Sequence, residues 1–200
     1  LLSGVLDPDK LDYLNRDAYF CGVPYGVQDV DFIINKCVYH PSRGMALSPA
    51  GISAVENLLF SKYLMYRTVY WHKTVRIATA MIKKAVFSGL KVGALSTEML
   101  YFLDDNEFYR SFGRKEFPGS RLIDMVFHRQ LYKVIYETTF DETDENQRRL
   151  LSLEERCIAE AKLAEGLSSS LSFSVAPEDI IIDIPEKISF EVDLPIGASE

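Results

Sequence analysis

The chain has 200 residues, of which 48% are apolar and 26% are charged, and this composition excludes an intrinsically disordered protein. Its length allows a sizeable core in one domain, or in one domain with a small appended lobe. The formal net charge of −7 and the pI near 5.1 disfavour a protein that binds nucleic acid or anionic membranes through a basic surface.

Cysteine usage indicates a reducing compartment, and hydropathy gives no sign of a membrane span. Cys21, Cys37 and Cys157 stand far apart and form no CxxC pair, which is a poor basis for a disulfide framework. No apolar run reaches the roughly 18 residues that a membrane span needs, and no basic-then-apolar leader opens the sequence. We therefore expect a cytoplasmic protein without a membrane partner. Because Leu1 leads directly into a motif, we also interpret the chain as part of a longer protein.

The start of the chain is predicted to be helical, because Asp7 is a good N-cap and Pro8 a good first helical residue. This helix should end near Gly22. The longest helix, continuous or gently broken, should run from Pro49 to about Phe87, where apolar residues recur at helical spacing. Shorter helices are predicted at 28–37, 96–103, 104–112, 121–130 and 141–167, and extended segments at 45–47, 132–138, 180–184 and 189–194. The sequence therefore predicts a mainly α protein.

A row of polar side chains follows the first predicted helix. Asp9, Tyr13 and Asp17 are spaced by four residues and therefore share one face of that helix; we name them the first row. Spacing alone favours a structural interpretation, in which the carboxylates serve the helix dipole or surface ion pairs and Tyr13 fills a gap. The buried side is predicted to consist of Leu11, Leu14 and Ala18, with Asp12 and Arg16 paired at the surface.

The run Leu6 to Val23, LDPDKLDYLNRDAYFCGV, is similar to the LDxD(K/R)xDYxxRDxxxxG signature of HD-domain deoxynucleotide triphosphohydrolases and their bacterial relatives. The resemblance implies that Asp9 is the last ligand of the family's H...HD...D metal set. It also implies that Lys10 approaches phosphate and that Tyr13 and Asp17 hold the sugar of a nucleotide. A carboxylate is a hard oxygen ligand for a divalent ion, and the sequence does not distinguish Mg, Mn, Fe, Ni or Zn.

A second row lies in the long predicted helix, where Lys62, Tyr66 and Tyr70 are again four residues apart. The surrounding run, SKYLMYRTVYWHK, is similar to the family's (R)YxMYxxVYxHK segment. The resemblance implies that the basic residue meets the terminal phosphate and that the tyrosines line the sugar and base pocket. Lys62 stands where arginine is usual, which keeps the charge but loses the bidentate fork. In the alternative interpretation, the tyrosines are core aromatics and Lys62 is a solvated charge.

The family's opening metal ligands are missing from the sequence. An HD hydrolase carries histidines and an adjacent His-Asp pair before the final Asp, yet no His-Asp dipeptide occurs here and every histidine follows Asp9. The resemblance therefore implies that residues 1–115 are the later helical part of an HD-type domain and that residues 116–200 form a small α+β C-terminal lobe. Alone, the chain should be inactive, because one carboxylate does not supply the roughly three protein ligands of a catalytic metal.

The C-terminal half carries no residue assigned to the site. The helix predicted at 141–167 is strongly charged and should be exposed and amphipathic, with Glu160 on its solvated face. Residues 179–194 resemble the small C-terminal strand element of bacterial members of the family. We assign that segment to packing or assembly.

Two functional hypotheses remain open from the sequence. The first is a metal-dependent phosphohydrolase that acts on nucleotides, completed by the missing N-terminal half of the same protein. The alternative is a catalytically inactive helical module for oligomerisation or regulatory nucleotide binding. The resemblance also implies a homo-oligomer, and in the alternative hypothesis the long helix and the acidic C-terminal helix mainly serve that assembly. The two rows together disfavour a third interpretation, a chance match in an unrelated helical protein.

Overall fold

The computed structural model describes residues 6–42 and 44–184, and these are mainly helical, as the sequence predicts. The α-helices are α1 (Pro8–Cys21), α2 (Val30–Lys36), α3 (Ile52–Met65), α4 (Lys73–Lys91), α5 (Asp105–Phe108), α6 (Ser120–Phe127), α7 (Glu145–Arg149) and α8 (Leu153–Ser170). Single 3-10 turns occur at Pro49–Gly51, Thr97–Leu100 and Pro177–Asp179, and π-helical turns at Tyr66–Tyr70 and Tyr109–Gly113. Strands β1 (Cys37–His40) and β2 (Gly44–Leu47) pair antiparallel, with Cys37 opposite Leu47.

The described residues fall into two compact units, with the division between His72 and Lys73. Each unit has its own hydrophobic core. The boundary predicted between residues 115 and 116 separates the HD-type part of this chain from a small C-terminal lobe. That boundary stays a prediction. In the described ranges, no helix combines the length and apolar character needed to cross a bilayer.

The core of the first unit lies between α1 and α3. Helix α1 begins at Pro8 and ends at Gly22, whose left-handed conformation (φ 65°) lets its N–H reach the carbonyls of Ala18 and Tyr19. The predicted bounds and buried side of α1 are therefore confirmed. The buried residues of this core are Leu11, Leu14 and Ala18 from α1, Ile33 from α2, and Leu58 and Met65 from α3.

Gly26 holds the loop after α1 close to both long helices of this unit. Its φ is +104°, and a Cβ there would lie 2.9 Å from Ala18 Cβ and 3.1 Å from both the Leu14 carbonyl oxygen and Met65 Cγ. Glycine alone combines that backbone conformation with that close an approach. The loop is thereby fixed against α1 and α3.

The long helix expected from Pro49 to Phe87 is broken at a defined place. Helix α3 ends at Met65, a π-helical turn follows at Tyr66–Tyr70, and α4 begins only at Lys73. The Trp71 N–H donates a 2.8 Å hydrogen bond to the Tyr66 carbonyl, which closes the wider turn. Apolar periodicity predicts helix across this stretch but gives no sign of the break, because one wide turn barely disturbs the spacing.

The second unit is built on α4 and α6 with the π-helical turn after α5. Its buried residues are Met81, Ala85, Leu95, Tyr109, Phe112, Leu122 and Ile123. The helix expected over 141–167 is divided into α7 and α8, and the helix expected over 96–103 is only the 3-10 turn Thr97–Leu100.

A buried ion pair fastens the C-terminal segment to this core. The Lys84 ammonium donates to Glu160 Oε2 at 2.6 Å and to the carbonyls of Pro177 at 2.6 Å and Ile180 at 2.5 Å. Glu160 Oε1 accepts the Ile182 N–H at 2.8 Å, and the two charged side chains are only 9% and 4% exposed. The prediction that Glu160 is solvated was wrong, since charge pattern alone does not reveal a partner 76 positions away.

Two strand predictions were wrong. Residues 132–138 and 180–184 belong to no sheet within the described ranges. The second segment is instead held by side chains, with Arg76 Nε donating to Asp183 Oδ2 at 3.0 Å. In the first segment, the Tyr132 hydroxyl donates to the Glu178 carbonyl at 3.1 Å, while the residues after it lie against no neighbouring strand of the described chain. The strand predicted at 189–194 lies outside the described residues.

Candidate functional site

The first row lies along one face of α1. Asp9 is exposed in the first turn, where the positive end of the helix dipole favours a carboxylate, and Tyr13 and Asp17 are half-buried in the next two turns. Arg16 Nε approaches Asp17 Oδ1 at 3.7 Å. The predicted surface pair of Arg16 with Asp12 is confirmed.

Lys10 is held at the start of the same helix. Its ammonium lies 3.2 Å from Asp7 Oδ2, and both side chains are largely covered. Asp7 stands at the N-cap but its side chain makes no capping hydrogen bond, so the prediction of such a bond was wrong. The Asp7 carboxylate pairs with Lys10 instead, which positions that lysine near the helix start.

The two rows meet in the first unit. The Tyr70 hydroxyl donates a 2.7 Å hydrogen bond to Asp17 Oδ2, and the rings of Tyr13 and Tyr70 are 6.1 Å apart in an edge-to-face arrangement. Tyr66 and Tyr70 also pack edge to face at 5.1 Å. The Lys62 ammonium lies 5.8 Å from the centre of the Tyr66 ring, within cation–π range. A continuous chain of contacts therefore runs from Asp17 to Lys62.

The pKa values of Tyr13 and Tyr70 agree with the contacts between the two rows. Burial, followed by the neighbouring Tyr66 and the charges of Asp9 and Asp17, raises the pKa of Tyr13 to about 12. Burial and the hydrogen bond to Asp17 also raise the pKa of Tyr70. Both phenols are therefore neutral hydrogen-bond donors at physiological pH. The charge of Asp9 is one of the smaller causes of the raised pKa of Tyr13.

A polar network behind the rows was not predicted from the sequence. Gln28 donates its backbone N–H to Asn15 Oδ1 at 2.6 Å and its amide to Ser61 Oγ at 2.7 Å. Asn57 Nδ2 in turn donates to Gln28 Oε1 at 3.0 Å, and Ser61 is buried. The network links α1 to α3 beside Lys62. Its members are 13 to 33 positions apart, so no local pattern marks them.

The described residues fit one ligand of a divalent metal rather than a complete set. Within residues 6–42 and 44–184, no three His, Cys, Asp or Glu side chains lie close enough together to hold a metal ion. Asp9 offers an exposed carboxylate, which is the hard oxygen donor that such an ion prefers. The family's other ligand positions have no counterpart in this sequence, as the missing His-Asp pair indicates.

Comparison with known proteins identifies the class. Residues 29–193 match the family described as the HD associated region, and this match covers most of the chain. The protein therefore belongs to the family of HD-associated regions. The second row lies within the matched residues, and the first row precedes them.

Relatives of this chain are longer proteins. It is 33% identical over 168 residues to the uncharacterized protein MJ1154 of Methanocaldococcus jannaschii, covering 78% of this chain and 37% of the relative. It is 39% identical over 85 residues to the uncharacterized protein YwfO of Bacillus subtilis, covering 42% and 19%. A solved hypothetical protein from Aquifex aeolicus aligns with a TM-score of 0.56 at 31% identity, over 73% of this chain and 40% of that one. The chain thus spans well under half of each of these proteins.

Proposed function

We propose that this chain is part of a metal-dependent nucleotide phosphohydrolase of the HD superfamily, with a deoxynucleoside triphosphate as its substrate class. The observation that carries the proposal is the hydrogen bond from Tyr70 to Asp17, which joins the two rows that the family signatures single out. Membership of the HD-associated region family supports it, because that family is named for its association with HD domains.

The phosphates and the nucleoside are bound by different residues in this proposal. Lys62 neutralises the terminal phosphate from its position beside Tyr66, and Lys10 exchanges its partner Asp7 for phosphate oxygens when nucleotide binds. The nucleoside end is shaped by Tyr13, Asp17, Tyr66 and Tyr70, whose neutral phenols and carboxylate suit sugar hydroxyls. The network through Gln28 keeps α1 and α3 at the spacing that this arrangement requires.

Asp9 is the residue of this chain that would hold the metal. A bound divalent ion would supply a water of lowered pKa as the nucleophile for phosphorus near neutral pH. The other ligands come from the N-terminal half of the same protein in this proposal. The residues described above bind and orient the nucleotide relative to that centre.

The experiment that tests the proposal changes Asp9→Ala in the full-length parent protein and follows the release of phosphate or triphosphate. Loss of a metal ligand should lower turnover by about 100-fold or more, together with metal affinity. Asp12→Ala is the matched control, since Asp12 lies on the same helix but pairs with Arg16 at the surface. Undiminished turnover with retained metal in the Asp9 variant contradicts the assignment.

The second candidate function is a regulatory nucleotide-binding or assembly module without catalysis. The packing of Tyr13 and Tyr70 against the buried core of the first unit favours it, because core aromatics stabilise a fold whether or not chemistry occurs there. Equilibrium dialysis of the full-length protein with labelled nucleotides, with and without Mn²⁺ or Mg²⁺, separates the two. Metal-independent binding without hydrolysis supports the module.

A further inference from the structure

Residues 131–140 of the second unit form an irregular segment with exposed apolar side chains. Ile135 is 89% exposed and Tyr136 is 79% exposed, and Val134 beside them is also open to solvent. Within the described ranges, no backbone hydrogen bond joins residues 133–139 to another part of the chain. β-branched and aromatic residues in a segment without a described strand partner are a template for pairing with another strand.

The charges of this segment are arranged symmetrically about Ile135. Lys133 lies two residues before it and Glu137 two residues after it, with Val134 and Tyr136 between. In an antiparallel pair of two identical segments centred on Ile135, each Lys133 lies opposite Glu137 of the partner subunit. Val134 then lies opposite Tyr136 of the partner subunit, which is the β-branched and aromatic pairing that stabilises sheets.

Other pairings of two such segments lose this match. A parallel pair in register sets lysine opposite lysine and glutamate opposite glutamate, which is destabilising. Moving the antiparallel centre by one residue in either direction shifts the register by two residues and leaves both charges without an opposite partner. The sequence of the segment therefore selects one register, and that register has two-fold symmetry.

We propose that two copies of this chain associate by antiparallel pairing of residues 133–137 about a two-fold axis at Ile135. An isologous two-fold contact of this kind is the commonest form of association between identical chains. Strand addition satisfies the backbone groups and partly covers Ile135 and Tyr136, each against the side chain opposite it on its own face of the pair. Within one subunit Glu137 lies 3.7 Å from Lys73, but both side chains are well exposed, so that pair is weak and does not prevent exchange.

The test uses charge reversal in the full-length protein, with mass measured by analytical ultracentrifugation at increasing concentration. Lys133→Glu and Glu137→Lys each set like charges opposite one another at two places across the axis. Each single variant should weaken association by about tenfold or more. The double variant, and an equimolar mixture of the two single variants, restore opposite charges at both places and should regain the wild-type mass.

Lys162→Glu is the control, because Lys162 is an exposed lysine of α8 in the same unit. It should leave the mass unchanged, and circular dichroism should show that every variant is folded. In the mixture the two changes are on different chains. Restored association therefore shows that position 133 of one subunit lies opposite position 137 of the other. A monomeric wild type, or single variants that associate as well as the wild type, overturns the proposal. Single variants that lose thermal stability but keep the molar mass of the wild-type assembly also overturn the proposal. They indicate a partner segment within the same chain.

Discussion

Tyr70 and Asp17 are 53 positions apart in the sequence, and a 2.7 Å hydrogen bond joins them. Asp17 ends the first row on α1, and Tyr70 ends the second row after α3. Burial raises the pKa of Tyr70, and the bond to Asp17 raises it further, because ionisation of the phenol would place a second negative charge beside the carboxylate. Together with the edge-to-face contact of Tyr13 and Tyr70, it makes the two rows one surface.

Removal of this hydrogen bond should weaken nucleotide binding. Tyr70→Phe removes a hydroxyl that the proposal assigns to the nucleoside pocket and leaves Asp17 without the partner that positions it, so it should raise the dissociation constant for a deoxynucleoside triphosphate by about tenfold. Isothermal titration calorimetry on the full-length protein measures this dissociation constant. Tyr39→Phe, at a tyrosine of β1 that is 78% exposed, is the control and should bind as the wild type does. Equal affinity in both variants counts against a nucleotide role for Tyr70.

Substitution of Gly26 should destabilise the first unit. Gly26→Ala combines a strained left-handed conformation with a Cβ only 2.9 Å from Ala18 Cβ, and overpacking of this kind costs about 1–3 kcal/mol. Urea denaturation measures the loss. Gly166→Ala in α8 is the matched control, because nothing lies within 4 Å of that Cβ and alanine favours helix. The control should be as stable as the wild type or slightly more so, and equal stability of Gly26→Ala would show that the loop is not tightly held.

The Lys84–Glu160 pair should be essential to the second unit. Glu160→Gln leaves the buried Lys84 charge without its counterion, which costs about 3–5 kcal/mol in comparable buried pairs. Thermal or urea unfolding checks this. In the control Glu155→Gln, the lost pair with Arg149 is exposed, so the change should be below about 1 kcal/mol. Similar losses in the two variants would contradict the structural role of Glu160.

The raised pKa of Tyr13 predicts a pH dependence of stability. Between the ordinary tyrosine pKa near 10 and the value of about 12 in the folded chain, the unfolded state releases a proton that the folded state retains. The free energy of unfolding should therefore fall as pH rises from about 10 to about 12, and the Tyr13 contribution is fully present below pH 10. Tyr13→Phe should fall less steeply over that range in urea titrations. Identical slopes in the two proteins would mean that Tyr13 titrates as an exposed phenol.

Local sequence signals account well for the first helix. Its N-terminal proline, its C-terminal glycine and the apolar residues Leu11, Leu14 and Ala18 give its bounds and its buried side, and both are confirmed. The mainly α fold class follows from the same periodicity. Five of the seven predicted site residues share contacts in the structure, namely Asp17, Tyr13, Tyr70, Tyr66 and Lys62. The roles of all seven in metal and nucleotide binding stay predictions.

Features that depend on long-range contacts were missed. The buried state of Glu160 depends on Lys84, and the polar network depends on Gln28 meeting Asn15 and Ser61. The segment 132–138 has the alternation of a strand but no described strand beside it, and a strand requires a partner. Periodicity records which residues prefer burial or extension, whereas these outcomes depend on which distant residues come together.

If the two rows form one nucleotide-binding surface, the phosphate end of that surface depends on the charge of Lys62. Binding of a labelled deoxynucleoside triphosphate to the full-length protein should be measured by equilibrium dialysis for the wild type, Lys62→Gln, Lys62→Arg and the exposed control Lys83→Gln. We expect about tenfold or greater loss of affinity for Lys62→Gln, retained binding for Lys62→Arg because the charge is kept, and no change for Lys83→Gln. Wild-type affinity in Lys62→Gln would contradict a single nucleotide-binding surface.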